Sequence, residues 1–276
     1  MSVKAVLLGA RKGTRMKSDL AKVLNEAAGL PLINWMLEIV SHAGVAELVA
    51  VVGHQAEDVA AVLPPGTLTA LQAEQLGTGH AARVGFEALA PAADDIVLVI
   101  PGDMPLIRNE TLEHLVALNR GTGAAATLLS CEPADPMGYG RVLRGADGLV
   151  LGFVEQRDAS DAQLAIREVG TSVYAFTADV LAEALATLTN HNAQGEYYLT
   201  DVIGALAGAG QMVEALVAPA VVGEGVNSHD QLASAAAELR RRINKRWMQE
   251  GVWMQVPDRK YIDADVVIER GARLYA

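Results

Sequence analysis

Short, apolar runs alternate with amphipathic stretches in the first half of this chain, and that alternation constrains its fold more than any other feature. Val3 to Leu8 is a continuous apolar run ending in Gly9, Glu47 to Val52 is closed by Gly53, and Ile96 to Ile100 is closed by Pro101-Gly102. Between the first two, Leu32, Ile33, Met36, Leu37 and Val40 fall at helical spacing, and a second helical stretch around Glu57 to Val62 stops at Pro64-Pro65. Strands that read as unbroken apolar runs are covered on both faces, which is the habit of parallel sheets. Parallel strands need crossovers, and helices supply them with one hand. The expected class is therefore α/β, a doubly wound, mostly parallel sheet.

The remainder is less regular. Ala124–Ser130, Gly140–Arg144, Leu149–Glu155 and Val173–Phe176 read as strands joined by turns such as Gly145-Ala146-Asp147-Gly148. Residues 228–250 read as one helix, with Leu232, Ala236, Leu239, Ile243 and Trp247 on its apolar face. Ser228 and Gln231 fit a capping box at its start, and Glu250-Gly251 fits its end. Its back half carries Arg240, Arg241, Arg242, Lys245 and Arg246. Those charges suit the negative end of a helix, and the reading preferred here is a solvated face. In the tail, Ile262, Ile268 and Leu274 recur every six residues, a period that suits a parallel β-helix, with a hairpin as the alternative.

Net charge is −11, from 22 Lys and Arg against 33 Asp and Glu. A nonspecific binder of nucleic acid or of an anionic membrane is normally basic, so both classes recede. No apolar stretch is long enough for a membrane span, and the N-terminus enters strand-like sequence at once, so no membrane span and a cytoplasmic location are expected. The single cysteine, Cys131, forms no internal disulfide, and zinc-ligand spacing is absent.

Against that acidic background, the first loop is basic: Gly9-Ala10-Arg11-Lys12-Gly13-Thr14-Arg15-Met16-Lys17. It follows the first strand, whose C-terminal end lies at the binding crevice of a doubly wound sheet. Backbone N–H groups in such a turn can cradle an anion, and Arg15, Lys17 and Lys22 add charge. The pattern is neither the dinucleotide fingerprint nor a P-loop, and a solvated surface turn is the alternative. Gln72 and Gln75 precede Gly77-Thr78-Gly79-His80; their amides can read a base edge, and the glycines permit close backbone approach. Gly102-Asp103 ends the strand Ile96–Ile100, where one carboxylate can help hold Mg²⁺ against phosphates. A polar helix-capping loop and a plain turn aspartate are the respective alternatives.

Leu8-Gly-Ala-Arg-Lys-Gly-Thr-Arg-Met-Lys followed by Lys22-Val-Leu resembles the signature loop of the sugar-1-phosphate nucleotidyltransferases. Further segments occur in the same order as in the bacterial N-acetylglucosamine-1-phosphate uridyltransferases that also carry an acetyltransferase: Gln72–Ala81, Gly102–Ile107, Gly138–Arg141, Val154–Ala159, Asn192–Asp201 and Gly225–Asn227. The resemblance implies a Rossmann-like nucleotidyltransferase domain over residues 1–227. A linker helix over 228–250 and the start of a left-handed β-helix over 251–276 would follow. Acetyltransferase activity is then expected to be absent with most of that domain, and a homotrimer is expected only with a complete β-helix.

The implied reaction joins UTP and N-acetylglucosamine 1-phosphate to give UDP-N-acetylglucosamine and pyrophosphate, with Mg²⁺ as cofactor. By similarity, Leu8, Gly9, Ala10 and Arg11 would hug uracil and ribose. Gly13, Thr14 and Arg15 would face the phosphates with Lys22, and Gln72, Gly77 and Thr78 would read uracil and nearby groups. Asp103 and Asn227 would hold the metal, while Gly102, Gly140, Glu155, Gly170 and Asn227 would hold the sugar. Arg15, Lys22 and Asp103 would be catalytic.

Three departures stand out. The family reads Ala-Ala-Gly where this chain has Gly9-Ala10-Arg11, and Ala21 replaces a proline. Glu-Val-Asn-Thr-Gly becomes Glu168-Val169-Gly170-Thr171-Ser172. Arg11 is expected to crowd the base, with an added phosphate contact as the less favoured alternative, and to be strained if its φ is positive. Ala21 is expected to loosen the approach to Lys22, and Gly170 to remove a sugar contact. A catalytically weak nucleotide-sugar binding domain, a pyrophosphorylase for another sugar 1-phosphate and an assembly module therefore compete with the uridyltransferase reading.

Overall fold

The computed structural model describes residues 1–192 and 194–276. The first apolar run forms β1 (Val3–Leu8), followed by the short ladder of β2 (Glu26–Ala27) and β3 (Leu30–Pro31). Then come α1 (Leu32–His42), β4 (Glu47–Val52), α2 (Ala56–Val62), β5 (Leu68–Leu71), α3 (Thr78–Leu89), β6 (Ile96–Pro101) and α4 (Asn109–Thr122). The irregular middle is β7 (Ala126–Cys131), β8 (Arg141–Arg144), β9 (Val150–Val154), a single-turn α5 (Asp161–Leu164) and β10 (Val169–Thr177). The chain continues through α6 (Ala178–Thr187), α7 (Leu199–Gly208), β11 (Val213–Ala218), α8 (His229–Gln249), β12 (Trp253–Met254) and β13 (Arg273–Leu274).

The main sheet runs β11-β7-β10-β6-β1-β4-β5, with β8 and β9 attached at the β10 side. β1 lies parallel between β6 and β4, β5 extends that parallel half, and β11 is parallel to β7. β10 alone of the seven main-path strands runs antiparallel to its neighbours β6 and β7. The expected doubly wound, mostly parallel class is what forms, with one strand inverted. In β1, Ala5 and Leu7 join a core with α1 and α4, whereas Val6 packs on the other face beneath α3. Burial on both faces is why that run shows no polar alternation.

A third apolar cluster lies outside the sheet. Met16, Ala27, Ala28 and Leu32 meet Ala235, Leu239, Ile243 and Trp247 of α8, together with Val252, Met254 and Ile262 of the tail. β12 and β13 pair in parallel, Trp253 with Arg273 and Met254 with Leu274, so the hairpin alternative does not apply. Asn244 of α8 ties the tail down by donating to the Pro257 and Lys260 carbonyls at 2.8 and 3.0 Å.

One expectation fails at the start of α8. Ser228 is the N-cap, but its side chain makes no capping hydrogen bond to the helix. Gln231 reaches past it and accepts from the Asn227 N–H at 2.8 Å. The capping box is replaced by a tie one residue upstream. The basic half of α8 behaves as a solvated face: Glu238 takes Arg241 at 2.6 Å and Arg242 at 2.9 Å, and Arg240 lies over Tyr261.

Candidate active site

The C-terminal ends of β1 and β6 open into a cleft of about 360 Å³, a size that suits a small-molecule ligand. Its floor is made by Leu8, Gly9 and Ala10, packed closely enough that Gly9 donates to Val51 O and Gly102 to Leu8 O, both at 2.8 Å. The charged groups lining it are Arg11, Arg15 and Lys22 against Asp103 and Glu196, three cations to two anions in a protein of net charge −11. The local sign is reversed.

Four side chains converge at the bottom. Lys22 is 7% exposed and its ammonium bridges the Asp103 carboxylate and Asn227 Oδ1, the latter at 2.7 Å. Arg15 donates to the same Asn227 oxygen at 2.7 Å. Each is placed by a separate piece of backbone. Gly13, at φ 72, has its Cα against the Lys22 stem, where a Cβ would stand 2.7 Å from Lys22 Cβ. Arg15 sits on the 3₁₀ turn Thr14–Met16, anchored by the 1% exposed Met16 in the α8 cluster. Asp103 leaves the end of β6 and its carbonyl accepts from Val226 N at 2.9 Å, which brings Asn227 alongside. The carboxylate and the amide oxygen around one ammonium are hard donors. They fit a small divalent cation that takes few protein ligands and leaves its other positions to phosphate and water.

The second wall is the Gly77 loop. Gln72 is 3% exposed, and its Nε2 contacts Gly77 O and His80 Nδ1, both at 3.1 Å, which leaves its carbonyl oxygen to accept from a ligand N–H. Gly77 has φ 107, and a Cβ there would lie 2.5 Å from Tyr197 O. That closeness lets Tyr197 N bond to Leu76 O and Gly79 N to Tyr197 O, both at 2.8 Å, while Thr78 Oγ1 accepts from Leu199 N.

The third wall is β10. Gly170, Thr171 and Ser172 line the cleft through a break in the β10–β7 register. A Cβ on Gly170 would meet the Phe153 ring at 2.2 Å. The aromatic ring occupies the space into which a larger residue at 170 would grow. Ser172, where the resembled family has glycine, takes φ 63.

Of the residues singled out from sequence, Leu8, Gly9, Ala10, Arg11, Arg15, Lys22, Gln72, Gly77, Thr78, Asp103, Gly170 and Asn227 line this one cleft. Gly13, Gly102, Gly140 and Glu155 stand behind its lining. Gly13 and Gly102 pack under Lys22 and Leu8, and Gly140 accepts from Gly170 N while resting on the Glu155 carboxylate. Glu155 is solvent-exposed overall, yet the atoms crowded round its carboxyl, together with Asp158 and Asp201, push it above the usual carboxylate range.

Two expected defects do not arise. Arg11 is not among the residues with positive φ, so it adds no backbone strain. Ala21 keeps a proline-like φ of −53 and uses its N–H to bond Gln55 Oε1. The loss of ring rigidity is offset by a tie that proline cannot make. Sequence reading passed over Tyr139, Ser172 and Glu196, which also line the cleft. Tyr139 and Glu196 carried a signal in their places within the Gly138–Arg141 and Asn192–Asp201 segments, and Ser172 in the departure at Glu168–Ser172.

A family model described as the MobA-like NTP transferase domain matches residues 5–196, the span that carries most of the cleft lining, including all of the third wall, while Leu199 and Asn227 lie beyond it. The chain belongs to the MobA-like NTP transferase family. It is also similar over nearly its whole length to proteins called bifunctional protein GlmU. The identity is 47% over 97% of this chain for that of Pelobacter propionicus and 45% over 96% for that of Streptococcus suis. For that of Pelotomaculum thermopropionicum it is 44% over 100%. The chain spans 58%, 57% and 60% of the length of these relatives. The nucleotidyltransferase likeness carried by the first loop is thus borne out. No helix among the described residues is long and apolar enough to cross a membrane.

Proposed function

We propose that this chain is a uridyltransferase, making UDP-N-acetylglucosamine and pyrophosphate from UTP and N-acetylglucosamine 1-phosphate. The observation that carries the reading is the convergence of Arg15 and Lys22 on Asp103 and Asn227 in an otherwise acidic protein. In-line displacement needs that arrangement. An oxygen of the sugar phosphate attacks the α-phosphorus of UTP, the bond from that phosphorus to the bridging oxygen breaks, and pyrophosphate departs. The attacking oxygen is already anionic, so no side chain has to remove a proton. The chain's work is positioning and charge neutralisation.

Asp103 and Asn227 would hold Mg²⁺, which supplies positive charge for the nucleotide phosphates. Arg15 is placed to present a planar fork to phosphate oxygens. Lys22 carries a compact ammonium that can pass from carboxylate to phosphate oxygen. Gln72 offers its carbonyl oxygen to the base, and the Gly77 loop lets backbone approach it. The division into residues 1–227, 228–250 and 251–276, and the trimer formed through a complete β-helix, belong to the same reading.

The test is pyrophosphate release from UTP, N-acetylglucosamine 1-phosphate and Mg²⁺, with the Arg11→Gly variant alongside. Release by either supports the reading, and silence from both removes it in favour of a binding domain. A second reading, a different sugar 1-phosphate, is favoured by the Phe153 ring against Gly170. Faster turnover of glucose 1-phosphate than of N-acetylglucosamine 1-phosphate would establish it.

A further inference from the structure

Arg11 and Glu196 face each other at the mouth of the cleft, with Arg11 Nη2 3.6 Å from Glu196 Oε2. That is Coulomb contact without a hydrogen bond. The two partners are held very differently. Glu196 precedes Tyr197, whose backbone is bonded in both directions to the Gly77 loop. Its Oε2 is sealed from solvent and accepts no hydrogen bond among the described residues. Arg11 projects from the loop after β1 with 62% of its side chain exposed. One member is thus a fixed, under-satisfied acceptor, and the other is a long solvated arm drawn over the cleft by charge.

We infer that Arg11 and Glu196 form a clasp across the nucleotide end of the cleft, which a nucleotide must open in order to bind. This rests on the nucleotide-transfer reading above. The energetics follow from exposure. The solvated guanidinium loses little on swinging outward, so the pair is weak enough to be displaced, yet its opening is charged against every binding event. Arg11 therefore sets nucleotide affinity without being required for the chemistry.

The experiment uses the full chain with Arg11→Gly, Glu196→Gln and the double variant. One measurement is independent of ligand: the Arg11 Nε–Hε resonance in the free protein, assigned by its loss in Arg11→Gly. The other is calorimetric titration with UTP and Mg²⁺. The clasp predicts that Glu196→Gln shifts the Arg11 resonance and that each single variant binds UTP about two- to fivefold tighter. It also predicts that the double variant gains no more than either single one, since the two changes remove the same contact. An unmoved resonance, weaker binding by Arg11→Gly, or additive gains would overturn it. Equal UTP binding by all variants would remove the clasp and leave the nucleotide site standing. Absence of UTP binding from every variant, with the resonance shifted, would remove both and leave a surface ion pair.

Discussion

Lys22 is the residue on which most of the cleft depends. It is buried, its stem fits only because position 13 has no Cβ, and its ammonium is shared by Asp103 and Asn227. Lys22→Ala is expected to lower turnover at least about a hundredfold, as loss of a preorganised charge does. The assay is pyrophosphate release with saturating Mg²⁺, and near-normal turnover would show that the ammonium is structural. Ser172 makes the opposite case. An L-residue at φ 63 carries a cost of about 1–2 kcal/mol, of which the greater unfolded-state freedom of glycine cancels part. Ser172→Gly is expected to stabilise the chain by about 0.5–1 kcal/mol, read as a higher urea midpoint. No gain would mean that the hydroxyl holds the turn.

The helix α8 is joined to the site by a side chain that the sequence pattern misassigns. Gln231 holds the Asn227 N–H and thereby sets where α8 begins relative to the metal-type donors. Gln231→Ala should raise the KM for UTP and Mg²⁺ several-fold, whereas Ser228→Ala, which removes no side-chain cap to the helix, should leave it unchanged. Steady-state kinetics on both variants distinguish this tie from an ordinary capping box.

The β7–β8–β10 corner is held by Glu168, which accepts two hydrogen bonds from Arg144, at 2.7 and 2.6 Å, and one from Ser130. Burial alone would raise the Glu168 carboxyl. The hydrogen bonds from Arg144 and Ser130, with the Arg144 charge, outweigh it and hold the carboxyl below its usual value. A lowered folded-state value means stability that is present at neutral pH and lost as the pH falls through it. Glu168→Gln should therefore be less stable than the parent at pH 7, with the gap closing as the pH drops below the ordinary carboxylate range. Parallel urea titrations across that range measure it, and a constant gap would place the effect in packing.

At the scale of the whole molecule, the tail and the basic first loop share one apolar cluster. Ile262 and Met254 pack with α8, and Met16, next to Arg15, packs into the same cluster. Gly29 lies against Asp263 so closely that a Cβ would stand 2.5 Å from its Cβ. Ile262→Ala is expected to cost about 2–4 kcal/mol in urea unfolding. Because Met16 belongs to that cluster, the same change should also raise the KM for UTP. A stability loss with unchanged kinetics would show that the tail is mechanically separate from the loop.

The parallel half of the fold was legible because strands buried on both faces must be apolar throughout and are separated by amphipathic crossovers. Val3–Leu8, Glu47–Val52 and Ile96–Ile100 carry that signal in consecutive residues. The basic first loop, Asp103 at a strand end and the Gly77 loop were legible for the same reason, since each is a local pattern with a fixed place on such a sheet. Tertiary structure alone decided the rest. The inversion of β10 depends on partners far along the chain, β6 and β7. Lys22 and Asp103 are 81 positions apart and Arg15 and Asn227 are 212 apart, so no periodicity brings them together. The closing of Gly170 by Phe153, the Ala21 tie to Gln55 and the pairing of Arg11 with Glu196 are likewise matters of which surfaces meet. Local sequence specifies backbone preference and burial, whereas contact between distant side chains exists only once the layers have packed.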